Sequence, residues 1–344
     1  MRKLKCLMLC AFVICGCAVL AGASADDAVS PSAADRDAAR SAKIVRHALP
    51  AKTERGDSFR SAPSPGQRAS QESRDGSPAD SQSLRYPGDL QYHGGAVLES
   101  TESHAIYMLP NGVCPIATCW GNPEGFLGDL GDSDFIHVVD QYIGLNSDDR
   151  YTVGRRAHVN FPPPRNFTST PFTDSDIVSI VHAVAAKTGQ TGYGHIYHVF
   201  LPQGTDECFT SAFSVCYSPD NPNTWFFCAY HGSADFADIG HVIYSVEPYQ
   251  NVSGCSVRPD TPNGQLVDST NNVLSHELIE AITDPDGLSW WNSADNGLFG
   301  QEIGDECSFV VPGFFDPSTV RLGRNKYAIQ PEYSNSAHAC ATGP

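Results

Sequence analysis

Cysteine distribution is the feature that most restricts how this chain can fold. Four of its twelve cysteines fall within the first 17 residues, and the other eight are spread between residues 114 and 340. An even number of widely spaced cysteines is typical of an exported, disulfide-bonded domain, so we predict four disulfides. The sequence does not fix their connectivity; Cys228 with Cys255 and Cys307 with Cys340 are candidate pairs. A thiol-rich zinc cluster is the less favoured alternative, because no CxxC pair occurs after residue 25.

The N-terminal residues indicate export. Arg2, Lys3 and Lys5 precede an apolar run, and residues 23–25 have the small-residue pattern at which signal peptidases cut. We therefore predict a signal peptide over residues 1–25 and a secreted, extracellular protein. No other segment approaches the ~20 apolar residues that a spanning helix needs. We expect no integral membrane span after signal removal.

Net charge excludes two classes of partner. The formal net charge is −17, and it becomes more negative when the basic residues of the signal peptide are removed. Proteins bind nucleic acid and anionic membrane surfaces largely through Lys and Arg. We therefore expect neither as a partner. The sequence does not indicate an oligomeric state.

Composition divides the rest of the chain in two. Residues 26–86 are mostly Ser, Ala, Asp, Arg and Pro with almost no large apolar side chains. Such a segment buries too little apolar surface to offset its ordering entropy, so we predict a disordered spacer or pro-segment. Residues 87–344 carry aromatic and β-branched runs punctuated by Gly and Pro, and their number fits one large domain.

Local patterns in this domain predict both strands and helices. Three apolar runs, HIYHVFLP, TWFFCAYHG and HVIYSVEPY, are typical of strands. A helix is predicted after Thr173, a suitable N-cap with Asp176 three residues later, and it carries an apolar stripe from Ile177 to Val184 and ends at Gly189. Only one helix lies between clear strands, which favours a single disulfide-bonded α+β domain with a mixed sheet over a doubly wound fold.

The segment SHELIEAITDP, residues 275–285, predicts a helix with an acidic face. Its imidazole and carboxylates fall in one arc, opposite an apolar face. Asn271 or Asn272 is the predicted N-cap, and Pro285 disfavours helical geometry at Asp284. Carboxylates near a helix C-terminus are unfavourable because the helix dipole is negative there. A divalent cation at this end would remove the conflict.

The spacing within this helix predicts a metal site. His276 and Glu280 are four residues apart and point the same way, with Glu277 placed to deprotonate a water, as in HExxH zinc hydrolases with Glu in place of the second His. That replacement also admits harder ions such as Ca²⁺ or Mn²⁺, so we predict zinc or another divalent cation. The candidates for the remaining ligands are Glu302, Asp305 and His231. The competing interpretation is a solvated acidic face, because HExxE is a short pattern.

Five segments in order carry a family resemblance: YHGG, FCAYHG, SHELIEAITDPDG followed by WW, EIGDEC and YAIQPEYSNSAHAC. Together they resemble the phosphate-induced, EXORDIUM-like family of secreted proteins, in particular its microbial members, over most of residues 90–344. The resemblance implies an extracellular or cell-wall location and, for plant members, a role in growth and nutrient signalling without a defined biochemical activity. In plant members the segment matching residues 276–285 is more hydrophobic, so the His and Glu set is not obviously shared.

A weaker similarity is to zincin metallopeptidases, through the strand, the helix and HExx alone. Glu280 stands where those enzymes have His, and the HExxHxxGxxH extension is missing. Two hypotheses follow. The first is a secreted, metallopeptidase-like hydrolase with Glu277 as general base, acting on a peptide or a cell-wall polymer. The alternative is a non-catalytic, cell-wall-associated EXORDIUM-like protein that binds a wall polymer or a partner.

Overall fold

The structure is a computed structural model that describes residues 28–51, 89–110, 115–161, 165–292 and 302–344. The predicted signal peptide therefore lies outside the described residues. The helices are α1 (Ala33–Ser41), α2 (Ile116–Cys119), α3 (Pro123–Gly131), α4 (Asp140–Ile143), α5 (Asp174–Thr188) and α6 (Gln265–Thr283), with 3₁₀ helices at Asp134–Val139 and Asp305–Cys307. The strands are β1 (Lys43–Pro50), β2 (Gln91–Tyr92), β3 (Thr101–Pro110), β4 (Tyr151–Val153), β5 (Ala157–Phe161), β6 (Phe172–Thr173), β7 (His195–Phe200), β8 (Glu207–Cys208), β9 (Cys216–Tyr217), β10 (Phe227–Phe236), β11 (Gly240–Glu247), β12 (Trp290–Trp291), β13 (Ser318–Leu322), β14 (Asn325–Ile329), β15 (Glu332–Ser334) and β16 (Ala339–Ala341).

A seven-stranded mixed sheet forms the centre of the fold. Its order is β1-β10-β11-β7-β3-β4, and β5 pairs with the second half of β3. β1, β10 and β11 run antiparallel to one another, whereas β11, β7, β3, β4 and β5 pair in parallel. Strands and helices thus make the predicted α+β domain with a mixed sheet.

Both faces of the sheet are covered, which is why nearly all side chains of its central strands are buried. Tyr197 and Val199 of β7 pack in the core with α5, whereas Ile196 and Phe200 pack in the core with α6. This alternation follows from the two-residue period of a strand. Side chains that point toward α6 from neighbouring strands can therefore meet the acidic face of that helix.

Helix α5 begins after Thr173 and ends before Gly189, as the capping residues predict. The Thr173 side chain accepts from the Asp176 backbone N–H, and the Asp176 carboxylate accepts in return from the Thr173 backbone. At the other end Gly189 adopts φ 72°, a left-handed conformation that glycine accepts without steric cost.

Helix α6 is longer than the sequence predicts. It begins at Gln265, after Gly264, and no side chain caps it, so the prediction of Asn271 or Asn272 as N-cap is wrong. Both asparagines are buried inside the helix, and Asn272 instead accepts a hydrogen bond from the Gln330 backbone N–H. The C-terminal prediction is confirmed, because the helix ends at Thr283, two residues before Pro285.

The prediction of disorder from residue 26 to 86 is wrong for residues 28–51. Ser32 and Asp35 form a capping box that starts α1, and β1 adds an eight-residue antiparallel ladder to β10. On the α5 face of β1, Arg46 forms an ion pair with the buried Asp174. A short apolar stretch around Leu49 stabilises β1 although the surrounding composition is polar. The folded domain therefore includes residues that precede its predicted start. The rest of the predicted spacer, residues 52–86, lies outside the described residues.

Disulfides cross-link the domain. Cys228–Cys255 and Cys307–Cys340 are confirmed, and Cys208 pairs with Cys216. Cys119 is disulfide-bonded as well, whereas Cys114 lies outside the described residues. Within the described part of the chain, no helix is long and apolar enough to cross a membrane.

Candidate metal centre

Helix α6 directs three functional side chains toward the sheet. His276 and Glu280 are one turn apart, and His276 Nε2 lies 3.1 Å from Glu280 Oε1. Glu277, the next residue after His276, faces β10. All three side chains are buried, so their charges interact in a medium with little solvent screening.

The loop that carries Glu302 and Asp305 closes over this part of α6. The Asp305 backbone N–H donates to Glu280 Oε1 at 3.0 Å, and Asp305 Oδ1 lies 3.8 Å from His276 Nε2. A Cβ atom on Gly304 would lie 2.5 Å from His276 Nδ1 and 3.0 Å from Glu280 Oε1, so only glycine permits this approach. The disulfide at Cys307 holds the loop in place.

His231 on β10 reaches the same point from the sheet. Its Nδ1 lies 3.4 Å from Glu277 Oε2 and 3.5 Å from Glu280 Oε2, and its Nε2 lies 3.7 Å from Glu302 Oε2. His231 Nε2 also lies 3.2 Å from the Asp284 carbonyl oxygen, to which it can donate. Nδ1 faces the carboxylates of α6 and is the ring nitrogen that an ion could bind in place of a proton.

The structure brings together all five residues that the sequence nominates as ligands. They form two overlapping triads, His276/Glu280/Asp305 and His231/Glu280/Glu302, and within each triad the donor atoms lie within 4.8 Å of one another. Donors bound at about 2.0–2.1 Å and at tetrahedral angles are roughly 3.3 Å apart. Small adjustments of side chains would therefore bring each triad to coordinating distance. Glu280 belongs to both and connects them.

Several buried polar atoms at this point make no hydrogen bond of good geometry among the described residues, although some lie within ion-pair distance of one another. They are His276 Nε2, Glu277 Oε1, Asp284 Oδ2, Asp305 Oδ1 and both carboxylate oxygens of Glu302. An unsatisfied buried polar group costs about 1–3 kcal/mol, and more when it is charged. These atoms are clustered and belong to residue types that bind metals, so a cation fits the donor set.

The local pKa shifts show an excess of buried negative charge. Burial, reinforced by the charge of Glu280, raises the pKa of Glu302 and of Asp305 well above their usual range. Burial opposes protonation of His231, but its hydrogen bonds to Glu277 and Glu280 outweigh burial and raise its pKa to about 10. The charge of Glu280 likewise raises the pKa of His276 against the effect of burial. A divalent cation would compete with these protons.

Gln330 orients His276 from behind. Its Oε1 lies 3.2 Å from His276 Nδ1, while its Nε2 donates to the Gly304 carbonyl at 2.8 Å. With Nδ1–H donated to Gln330, Nε2 of His276 faces Glu280 and Asp305 and is the nitrogen that an ion could bind in place of a proton. Metal-binding histidines usually have such a partner on the second ring nitrogen.

Sequence reasoning missed His47, which β1 brings to the edge of the centre. Its ring stacks on His231 at 5.4 Å, and its Nδ1 lies 3.2 Å from Glu302 Oε1. Gly287, at φ +67°, makes room for it, because a Cβ there would lie 2.0 Å from His47 Nε2. The only sequence signal was the two short apolar pairs that flank Arg46 and His47, Ile44-Val45 and Ala48-Leu49, in an otherwise polar segment.

Asp284 stabilises the turn after α6 and contacts His231. Its Oδ1 accepts from the backbone N–H groups of Leu288 and Ser289, both at 2.7 Å, and therefore fixes the turn after α6. Through its carbonyl it also orients His231. Burial raises the pKa of the Asp284 carboxyl to about 6.

His47 has the most exposed side chain of the residues at the centre. The side chains of the five ligand candidates are at most 6% exposed, whereas the His47 side chain is 27% exposed. Beside it, Leu288 is 61% exposed.

Comparisons with known proteins assign no family to this chain. No protein-family model, no curated protein and no solved structure matches it. The EXORDIUM-like and zincin resemblances therefore stay expectations, and the functional argument depends on the geometry of the centre.

Proposed function

We propose that this chain is a secreted, metal-dependent hydrolase whose ion is bound around Glu280. The observation that carries the proposal is the convergence of an imidazole and two carboxylates in each of two triads that share Glu280. Two of these donor atoms, His276 Nε2 and Asp305 Oδ1, are buried and make no hydrogen bond of good geometry among the described residues. The mixed imidazole and carboxylate donors suit zinc or another divalent cation.

In this proposal Glu277 is the general base. The ion would act as a Lewis acid on the scissile carbonyl or an equivalent group. Glu277 would accept a proton from the attacking water through Oε1, which has no other partner in the described structure. Burial raises the pKa of Glu277 above its usual value, which makes this carboxylate a stronger base.

Export and substrate class form part of the same proposal. The disulfides of the described chain are typical of proteins that fold outside the cytosol. An extracellular hydrolase of this kind would act on a peptide or on a cell-wall polymer. The net charge of −17 supports neither nucleic acid nor anionic membrane as a partner.

A second function is favoured by the burial of the ligand candidates. Structural metal sites are closed and fully ligated by the protein, whereas catalytic sites keep an open position. With ligand side chains at most 6% exposed, the centre would also serve as a closed structural site in a non-catalytic extracellular protein that binds a wall polymer. The two functions share the ion and differ in the role of Glu277.

The test is hydrolysis by a Glu277→Gln variant. The metal-loaded wild type and variant are assayed against a fluorogenic peptide library and a panel of wall polysaccharides, with exposed Glu99→Gln as the matched control. We expect the variant to lose at least 100-fold in kcat while keeping its metal, because it lacks a base and not a ligand. Equal activity of wild type and E277Q, or no activity in either with metal bound, would favour the structural site.

A further inference from the structure

A second group of metal-type donors lies on the face of the sheet opposite α6. Glu102 and His104 are two residues apart on β3 and so share a face, and His195 at the start of β7 is the register partner of Glu102. Tyr197, on that same face, packs in the core with α5, whereas Ile196 packs with α6. These donors are therefore separate from the centre around Glu280.

The three donor atoms have the spacing of one tetrahedral face. His104 Nε2 lies 3.1 Å from His195 Nδ1 and 3.2 Å from Glu102 Oε2, and His195 Nδ1 lies 3.6 Å from the same oxygen. Three ligands at about 2.0–2.1 Å from an ion, at tetrahedral angles, are roughly 3.3–3.4 Å apart. Little movement would be needed to accept an ion.

The hydrogen bonds around the triad orient its donors inward. His104 Nδ1 lies 3.2 Å from the Arg155 carbonyl oxygen, which can only accept, so the proton is on Nδ1 and the Nε2 lone pair points at the other two donors. The Gln190 side-chain amide donates to Glu102 Oε2 at 2.9 Å, and this oxygen keeps a second lone pair for an ion. Both contacts are of the kind that fix the ligands of metal sites.

Gly154 packs directly on this group. A Cβ there would lie 2.2 Å from His104 Cε1 and 2.8 Å from Glu102 Cδ, so the loop after β4 approaches the triad as closely as backbone can. The His104 side chain is 2% exposed, whereas those of His195 and Glu102 are 26% and 35% exposed. The triad is therefore fixed on its inner side and open to solvent on its outer side.

We propose that Glu102, His104 and His195 bind one transition-metal ion of the zinc class, with the fourth position open to water or to a side chain of a partner. Zinc-class ions bind readily to two imidazoles and one carboxylate, whereas Ca²⁺ and Mg²⁺ require mainly oxygen ligands. The ion would fasten the first residues of β3 to those of β7. This site does not depend on the proposed hydrolase function.

The experiment is a zinc titration of the chelator-stripped full chain by calorimetry, with stoichiometry checked by elemental analysis. We expect the wild type to bind one more equivalent of zinc than either single variant, His195→Gln or Glu102→Gln. Both replaced side chains are partly exposed, so these variants should fold, and circular dichroism checks this. His137→Gln is the matched control, because its two ring nitrogens face Asp140 and Asp148 separately and its donors do not converge.

The same titration in a Glu280→Gln background separates this site from the one on α6. We expect the Glu280→Gln variant still to bind one equivalent of zinc. The Glu280→Gln/His195→Gln double variant should not bind it. That result is expected even if the α6 centre binds no ion in the wild type. Wild-type stoichiometry and affinity in both H195Q and E102Q would overturn the proposal.

Discussion

His276 Nε2 lies 3.1 Å from Oε1 of Glu280, one turn further along α6. The other oxygen of the same carboxylate lies 3.5 Å from His231 on the sheet. Glu280 thus connects a helix, a strand and, through the Asp305 backbone, a loop. Replacing this carboxylate should therefore affect the ligand candidates on all three elements.

Gly304→Ala should disrupt the centre without removing a ligand. The added methyl would lie 2.5 Å from His276 Nδ1, so either the loop or the imidazole has to shift. We expect at least a tenfold weaker metal affinity and a loss of about 1–3 kcal/mol in the free energy of unfolding. Calorimetric metal titration and urea unfolding measure the two effects. The matched control is Gly128→Ala in α3, where a Cβ meets nothing within 4 Å; metal affinity should be unchanged there. Equal affinities in the two variants would contradict the packing argument.

His47→Ala should open the route to the centre. His47 stacks on His231 and is the most exposed side chain at the site, so its removal exposes Glu302 to solvent. We expect metal transfer to a chelator such as EDTA to become several-fold faster, measured by stopped-flow with a metal-sensitive dye. Lys43→Ala, at an exposed position on the same strand, is the control and should exchange at the wild-type rate. Unchanged exchange in H47A would mean that ions leave by another route.

Arg46→Met should show that β1 belongs to the domain core. The carboxylate of Asp174 is fully buried between this guanidinium and the hydroxyls of Tyr230 and Tyr244. Removing the charge while keeping the aliphatic part of the side chain leaves a buried carboxylate without its cation, which should cost about 3 kcal/mol of unfolding free energy. Arg40→Met breaks an exposed pair with Asp37 and should cost less than about 1 kcal/mol. Urea unfolding of both variants measures the two losses in unfolding free energy. Similar small losses in the two variants would mean that β1 contributes little to stability.

His198→Gln should make the free energy of unfolding depend less on pH below pH 7. Burial, together with the nearby His104, lowers the pKa of His198 to about 3 from its ordinary 6.5. Between these pH values the unfolded chain binds this proton and the folded chain does not. Stability is therefore fully present above pH 6.5 and falls as pH drops toward 3, by up to about 1.4 kcal/mol per unit. From pH 7 to 5 we expect the wild type to lose about 2 kcal/mol more than H198Q in urea unfolding. Parallel losses in the two proteins would contradict the assigned pKa.

Local signals account for the parts that the sequence predicts well. The capping pair Thr173 and Asp176 and the terminal Gly189 define α5 without help from tertiary contacts. His276, Glu277 and Glu280 follow from helical spacing within one segment, and Glu302 and Asp305 are close to a cysteine that fixes their loop. Their convergence with His231 is a tertiary fact that the sequence could only suggest.

The sequence fails where distant partners decide the structure. β1 is a short strand in a polar segment, and its ladder partner β10 lies about 180 residues later, so composition alone predicts disorder. α6 extends back to Gln265 through Asp268 and Asn272, polar residues that interrupt the apolar period. They are tolerated because Asn263 donates to Asp268 and Gln330 donates to Asn272.

The most direct test of the account is metal content by elemental analysis of wild type, Glu280→Gln and Glu277→Gln, each purified without chelator and dialysed against metal-free buffer. Because Glu280 belongs to both triads and Glu277 to neither, the wild type and E277Q should retain at least one equivalent of zinc or another divalent metal that E280Q lacks. The same metal content in E280Q as in wild type would contradict a metal centre on α6.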